Sequence, residues 1–150
     1  MIPANIMALY EEAACQQPDA ISYLVQWHHY CHELDDLVDE PADERSLPLL
    51  LNSQARACSL YSAPFFVLHV QFLRPLVLLI ASTWGDSVAF EHGPDPGLKT
   101  YADSLRLCGN EMVCAVALLC GGYTHLRQIS PRLRAAAWAM QHPVLPAADP

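Results

Sequence analysis

Charge is scarce in this 150-residue sequence, and positive charge scarcer still: 16% of residues are charged, eight lysines and arginines against sixteen aspartates and glutamates. The resulting net charge of −8 speaks against a nucleic-acid binder held through phosphate contacts. Alternating runs of valine, isoleucine and threonine are also missing, which excludes strands as the organising element. Cys15, Cys31, Cys58, Cys108, Cys114 and Cys120 form no C-x-x-C pair and lie mostly in apolar helical patterns. Residues 1–17 lack the basic start, long apolar middle and cleavage site of a secretory signal. Free thiols in a reducing cytoplasm are therefore expected over a disulfide scaffold. No G-x-S-x-G, P-loop, dinucleotide fingerprint or H-E-x-x-H occurs, and the histidines are too scattered for a nucleophile triad.

Apolar residues are plentiful, at 53%. A chain of this size buries roughly 68–70% of its unfolded surface in one core, so residues 1–150 are expected to form a single helical domain with an irregular tail from about 143. Part of the apolar surplus is expected to cover a partner subunit, giving a homo-oligomer. The most apolar stretch, 65–84, is interrupted by His69, Gln71, Arg74 and Pro75. It is expected to be a buried helix of a soluble protein and no membrane span.

Prolines and glycines divide the rest into helices. The first is expected over 4–16 with Asn5 as cap, and the second over 19–40, opened by Pro18 and Asp19 and stopped by Pro41. A third fits 47–61 behind Ser46. A fourth starts at Pro64 and is kinked or divided by Pro75, and a fifth spans 98–120, ending at Gly121-Gly122. The last begins at Ser130-Pro131 and ends before Pro143. The expected fold is all-α, an antiparallel helical bundle of about five to six helices.

On the second helix, Leu24, Trp27, Cys31, Leu34 and Val38 make an apolar stripe that should pack into the bundle. His28, His32, Asp35 and Asp39 follow at i, i+4, i+7 and i+11 within an arc of roughly 60° beside it, and Asp36 and Glu40 flank them on the solvent side. Carboxylates gathered next to a core raise one another's pKa unless a positive group neutralises them. Magnesium or manganese suits the aspartates, while a transition metal suits the histidine pair. The row is about 16 Å long, so one ion cannot use all of it. Asp35, Asp39 and Asp36 make one candidate site, His28 and His32 another, and a merely solvated acidic helix end stays open as the alternative.

Residues 30–40, Tyr-Cys-His-Glu-Leu-Asp-Asp-Leu-Val-Asp-Glu, resemble the first aspartate-rich motif of squalene and phytoene synthases, a branch of the class I isoprenoid synthases. That resemblance implies an all-helical fold in which Asp35, Asp36 and Asp39 hold magnesium ions that bind an isoprenoid diphosphate. The nearest counterpart of that family's second motif is Asp103, Asn110 and Glu111, with Asp103 and Asn110 sharing a face. A looser resemblance is to the all-helical nucleoside triphosphate pyrophosphohydrolases, whose E-x-x-D is matched by Glu33 and Asp36 and whose E-E-x-x-E is begun by Glu11 and Glu12.

The charges are unevenly spread: residues 1–46 carry ten acids against Arg45 alone, whereas 99–142 carry five bases against Asp103 and Glu111. The two ends should attract, within one chain or between two. Arg106 and Arg127 are candidates to hold a ligand's phosphate. Alternatively the basic third, Arg132 and Arg134 included, pairs with acids of the same or a neighbouring chain. Asn110 and Glu111, set in an apolar helix, need partners. They either complete the metal site opposite Asp35 and Asp39 or join His28 and His32 in a structural network. The function expected is magnesium-dependent (or manganese-dependent) binding or turnover of a small diphosphate ligand, an isoprenoid diphosphate or a nucleotide. The alternative is a non-enzymatic interaction protein that forms a homodimer through acidic and basic helices.

Overall fold

The structure, a computed structural model, describes residues 1–39 and 45–142. Glu40, the stop at Pro41 and the tail from about 143 lie outside the described residues. The fold is all-α: α1 (Ala4–Ala13), α2 (Pro18–Asp39), α3 (Ser46–Ser62), the single short segment α4 (Pro64–Leu68), α5 (Val70–His92), α6 (Pro96–Arg106), a 3-10 turn (Leu107–Gly109) and α7 (Asn110–Gln141). Among the described residues there is no strand.

Several boundaries move from their expected places, each for a local reason. The first helix ends at Ala13 instead of residue 16 because Cys15 and Gln16 adopt φ of 48° and 61°, and Gln16 N–H reaches back to the Glu11 carbonyl at 3.0 Å. This is the six-to-one closure of a Schellman-type end, built here without glycine. Pro3, not Asn5, precedes its first turn. Pro75 divides nothing: the break falls at His69, and Pro75 sits inside α5. Leu73 and Ile80, buried on either side of it, anchor the helix through the missing hydrogen bond. The sixth helix starts earlier than residue 98, because Asp95 caps it by accepting from Gly97 N–H at 2.8 Å and Leu98 N–H at 3.4 Å, with Pro96 in the first turn.

The expected helix over 98–120 is interrupted at 107–109, where the Trp27 indole N–H donates to the Gly109 carbonyl at 3.0 Å. Beyond it α7 folds back on itself at Gly122, whose φ of 77° and ψ of −176° are not helical. Arg134 meets Glu111 at 2.6 Å, whereas 23 residues of straight helix would separate them by about 34 Å. Residues 110–121 and 123–141 are thus two antiparallel arms. The second arm starts at the glycine and runs through Ser130 and Pro131, so these do not begin a new helix.

One core joins the elements. Tyr23 and Leu24 of α2, Leu73 of α5, and Met112, Val116, Ile129 and Leu133 of α7 are fully buried or nearly so. Packing is pairwise: α2 lies on α3, α5 on α6, and α1 on α7. The stretch 65–84 is not a buried helix throughout: Phe65, Phe66, Leu73 and Ile80 are inside, but Val67, Leu68, Phe72, Leu78 and Leu79 face solvent. By length and composition a window within Pro96–Gln141 would suffice to cross a membrane, although its residues 112–117 are buried in the core. All six thiols are free.

Candidate functional site

The stripe on α2 does two different things along its length. Leu24 and Trp27 are buried in the core, whereas Cys31 and Leu34 line a cavity of about 620 Å³ and Val38 is exposed. The cavity lies between the α2–α3 and α5–α6 pairs, and the second arm of α7 closes it. Helical spacing turns His28, His32 and Asp35 into it as a row about 10 Å long. Opposite them stand Val77, Ile80 and Trp84 of α5 and Leu133, Ala137 and Met140 of α7.

At one end of the row three carboxylates meet one guanidinium. Arg106 contacts Asp39 at 3.2 and 3.3 Å, Asp35 at 3.6 Å, and Glu91. Hydrogen bonding to Asp39, then the charges of Asp39, Asp35 and Glu91, raise its pKa against the opposing effect of burial. The Trp84 indole N–H also points to Asp35 Oδ1, at 3.4 Å. The positive group that the aspartate spacing calls for is therefore Arg106, placed among the carboxylates it was expected to assist from across a phosphate.

At the other end of the row, Tyr10 Oη lies 3.1 Å from His28 Nδ1, and the His28 and His32 rings are 4.4 Å apart. Burial first, then the neighbouring His32 and His29, push His28 down to about 4, so it is neutral at pH 7. Burial likewise raises the Tyr10 hydroxyl well above its ordinary value.

The remaining candidates divide. Asn110 lines the cavity, with its side-chain amide donating to the Leu107 carbonyl at 3.0 Å. Glu111, the next residue along the helix, is turned about 100° away; it pairs with Arg134 beside a separate groove and does not face Asp35. Asp36 and Asp103 are exposed and line neither space, and Arg127 is likewise exposed and away from the cavity. The 3-10 turn breaks the register that would have aligned Asp103 with Asn110. Glu33 clips α2 to α3 through Arg56 at 2.6 Å. Among the described residues no three histidine, cysteine, aspartate or glutamate side chains are placed to hold a metal ion. The magnesium cluster expected from Asp35, Asp36, Asp39 and Glu111 is not brought together, since Asp36 is exposed and Glu111 lines another groove, and His28 and His32 stand together without a third ligand among the described residues.

Tyr10, Trp84, Glu91 and Gln141 also belong to the site but carry no local motif that marks them. Gln141 Oε1 is buried without a hydrogen-bond partner and its residue lines the cavity.

Arg106→Gln is expected to lower stability by about 1–2 kcal/mol at pH 7, as fits a partly exposed network. Denaturant titration at pH 7 reads the deficit. Millimolar magnesium should recover part of the loss only in the variant; equal response of both proteins would show that Arg106 does not compete for these carboxylates. No protein-family model, curated protein or solved structure matches this chain.

Proposed function

We propose that the protein binds a small amphipathic molecule in this cavity, an apolar body against α5 and α7 and a polar head at the Asp35–Arg106 end. The observation that carries the reading is the cavity itself: about 620 Å³, within the usual range of about 300–1,000 Å³ for small-molecule sites. His28, His32 and Asp35 are ranged along α2, and the lining contributed by α5 and α7 is mostly apolar. An isoprenoid body suits such a wall. The diphosphate head implied by the resemblance would need a divalent ion to take Asp35 and Asp39 from Arg106, because three carboxylates and one guanidinium leave that end at about −2.

The reading of a homodimer joined through acidic and basic helices has less support. Arg132 and Arg134 are engaged with Glu12 and Glu111 of the same chain. A homo-oligomer would instead use the exposed apolar residues of α4 and α5.

A prenyl alcohol at about a hundred times its dissociation constant should raise the melting temperature by about 5–10 °C. If ten- and fifteen-carbon prenyl alcohols and diphosphates, with and without magnesium, all leave it unmoved and give no heat in calorimetry, the cavity is not a site for such molecules.

A further inference from the structure

The hydrogen-bonding groups around the cavity are unevenly engaged. The indole N–H of Trp27 donates to Gly109 and that of Trp84 to Asp35, and the Asn110 amide donates to Leu107. The Cys108 thiol donates to the Ile80 carbonyl, and Arg106 is shared among three carboxylates. These donors already have acceptors inside the protein. Acceptors are left over: the buried Gln141 Oε1 has no partner, and Asp35, which lines the cavity, shares one guanidinium with the more exposed Asp39 and Glu91 at its rim. A buried acceptor without a donor is destabilising, because it gives up water and gains nothing in return. A ligand that brings N–H groups removes that cost, and one that brings more acceptors does not.

The charge and the ring faces agree with this. No lysine lines the cavity, burial pushes His28 down to about 4, and the one guanidinium, Arg106, is outnumbered by the three carboxylates around it. Five aromatic side chains, Tyr10, Trp27, Tyr30, Tyr61 and Trp84, line the same space, and aromatic faces attract ammonium groups. Trp84 brings ring and carboxylate together, since its N–H is held by Asp35. From this combination we infer that the ligand is an apolar organic cation, an amine whose ammonium head sits beside Trp84 and Asp35, at the end where carboxylates outnumber Arg106, with its body along α5 and α7. This rests on the small-molecule reading above and names its head group.

Three ten-carbon prenyl ligands with one tail and different heads separate the two ideas: geranylamine, geraniol and geranyl diphosphate, the last with and without magnesium, titrated calorimetrically at pH 7. The amine, protonated at that pH, should bind about tenfold tighter than the alcohol. Asp35→Asn should weaken the amine more than the alcohol and bring the two to within about threefold of each other. Glu91→Gln, on the other side of Arg106, should reduce the same preference and serves if the first variant is unstable. An amine no tighter than the alcohol, or a diphosphate with magnesium as the tightest of the three, overturns the cationic head while the cavity reading stands. Absence of binding by all three removes both.

Discussion

Replacing Gly85 by leucine should make the protein more stable and at the same time cost at least about tenfold in affinity for any ligand of the cavity. Gly85 follows Trp84 in α5 and lines the cavity, and a Cβ built there meets nothing within 4 Å. Its backbone is helical, so glycine has no conformational reason to be there. A side chain removes a helix penalty of about 0.5–1 kcal/mol, worth about 1–4 °C in melting temperature. The isobutyl group then occupies space that a ligand body would need. Gly85→Ala should keep the stability gain with a smaller loss of binding. Thermal denaturation and calorimetry on the same preparations read both effects. A leucine variant that gains stability and still binds like the parent would place the ligand elsewhere.

Room for a ligand body also accounts for the open glycine beside Trp84. The second helix was legible because one period of 3.6 residues carries both its apolar stripe and its polar row, and the row at His28, His32 and Asp35 faces the cavity. The same arithmetic says nothing about a neighbour 67 residues away, so the positive group at Asp39 was anticipated but assigned to a metal instead of Arg106. Glu111 illustrates a different limit. Adjacent residues on a helix point about 100° apart, and the sequence treats Asn110 and Glu111 as one polar pair until the packing direction of α7 separates them. His69 breaks the apolar stretch where proline was the obvious marker, because φ of −111° and ψ of 19° are open to any residue and leave no signature in composition. The exposed leucines of α5 escaped for a similar reason: hydropathy records what a face could bury, not what covers it.

Gly122→Ala should destabilise the protein by about 1–3 kcal/mol, because φ of 77° with ψ of −176° lies in a region essentially reserved to glycine. Nothing lies within 4 Å of a Cβ at 122, so the cost is one of backbone strain alone. Gly121 is required for the opposite reason: a Cβ there would come within 2.5 Å of the His125 ring, whose Nε2 donates to the Glu12 carbonyl at 3.0 Å and ties the turn to α1. Trimming His125 to alanine removes the ring but leaves its Cβ at 2.7 Å, so it should rescue part of the loss in Gly121→Ala and none of that in Gly122→Ala, a difference that denaturant titration of the three single and two double variants resolves. The consequence reaches the cavity, since the second arm supplies Leu133, Ala137, Met140 and Gln141 to its wall and is aimed by this one reversal. Gly122→Ala should accordingly weaken ligand binding although residue 122 does not line the site. If its stability and binding both match the parent, the two arms of α7 are not held by the glycine, and the closure of the cavity by the second arm must have another cause.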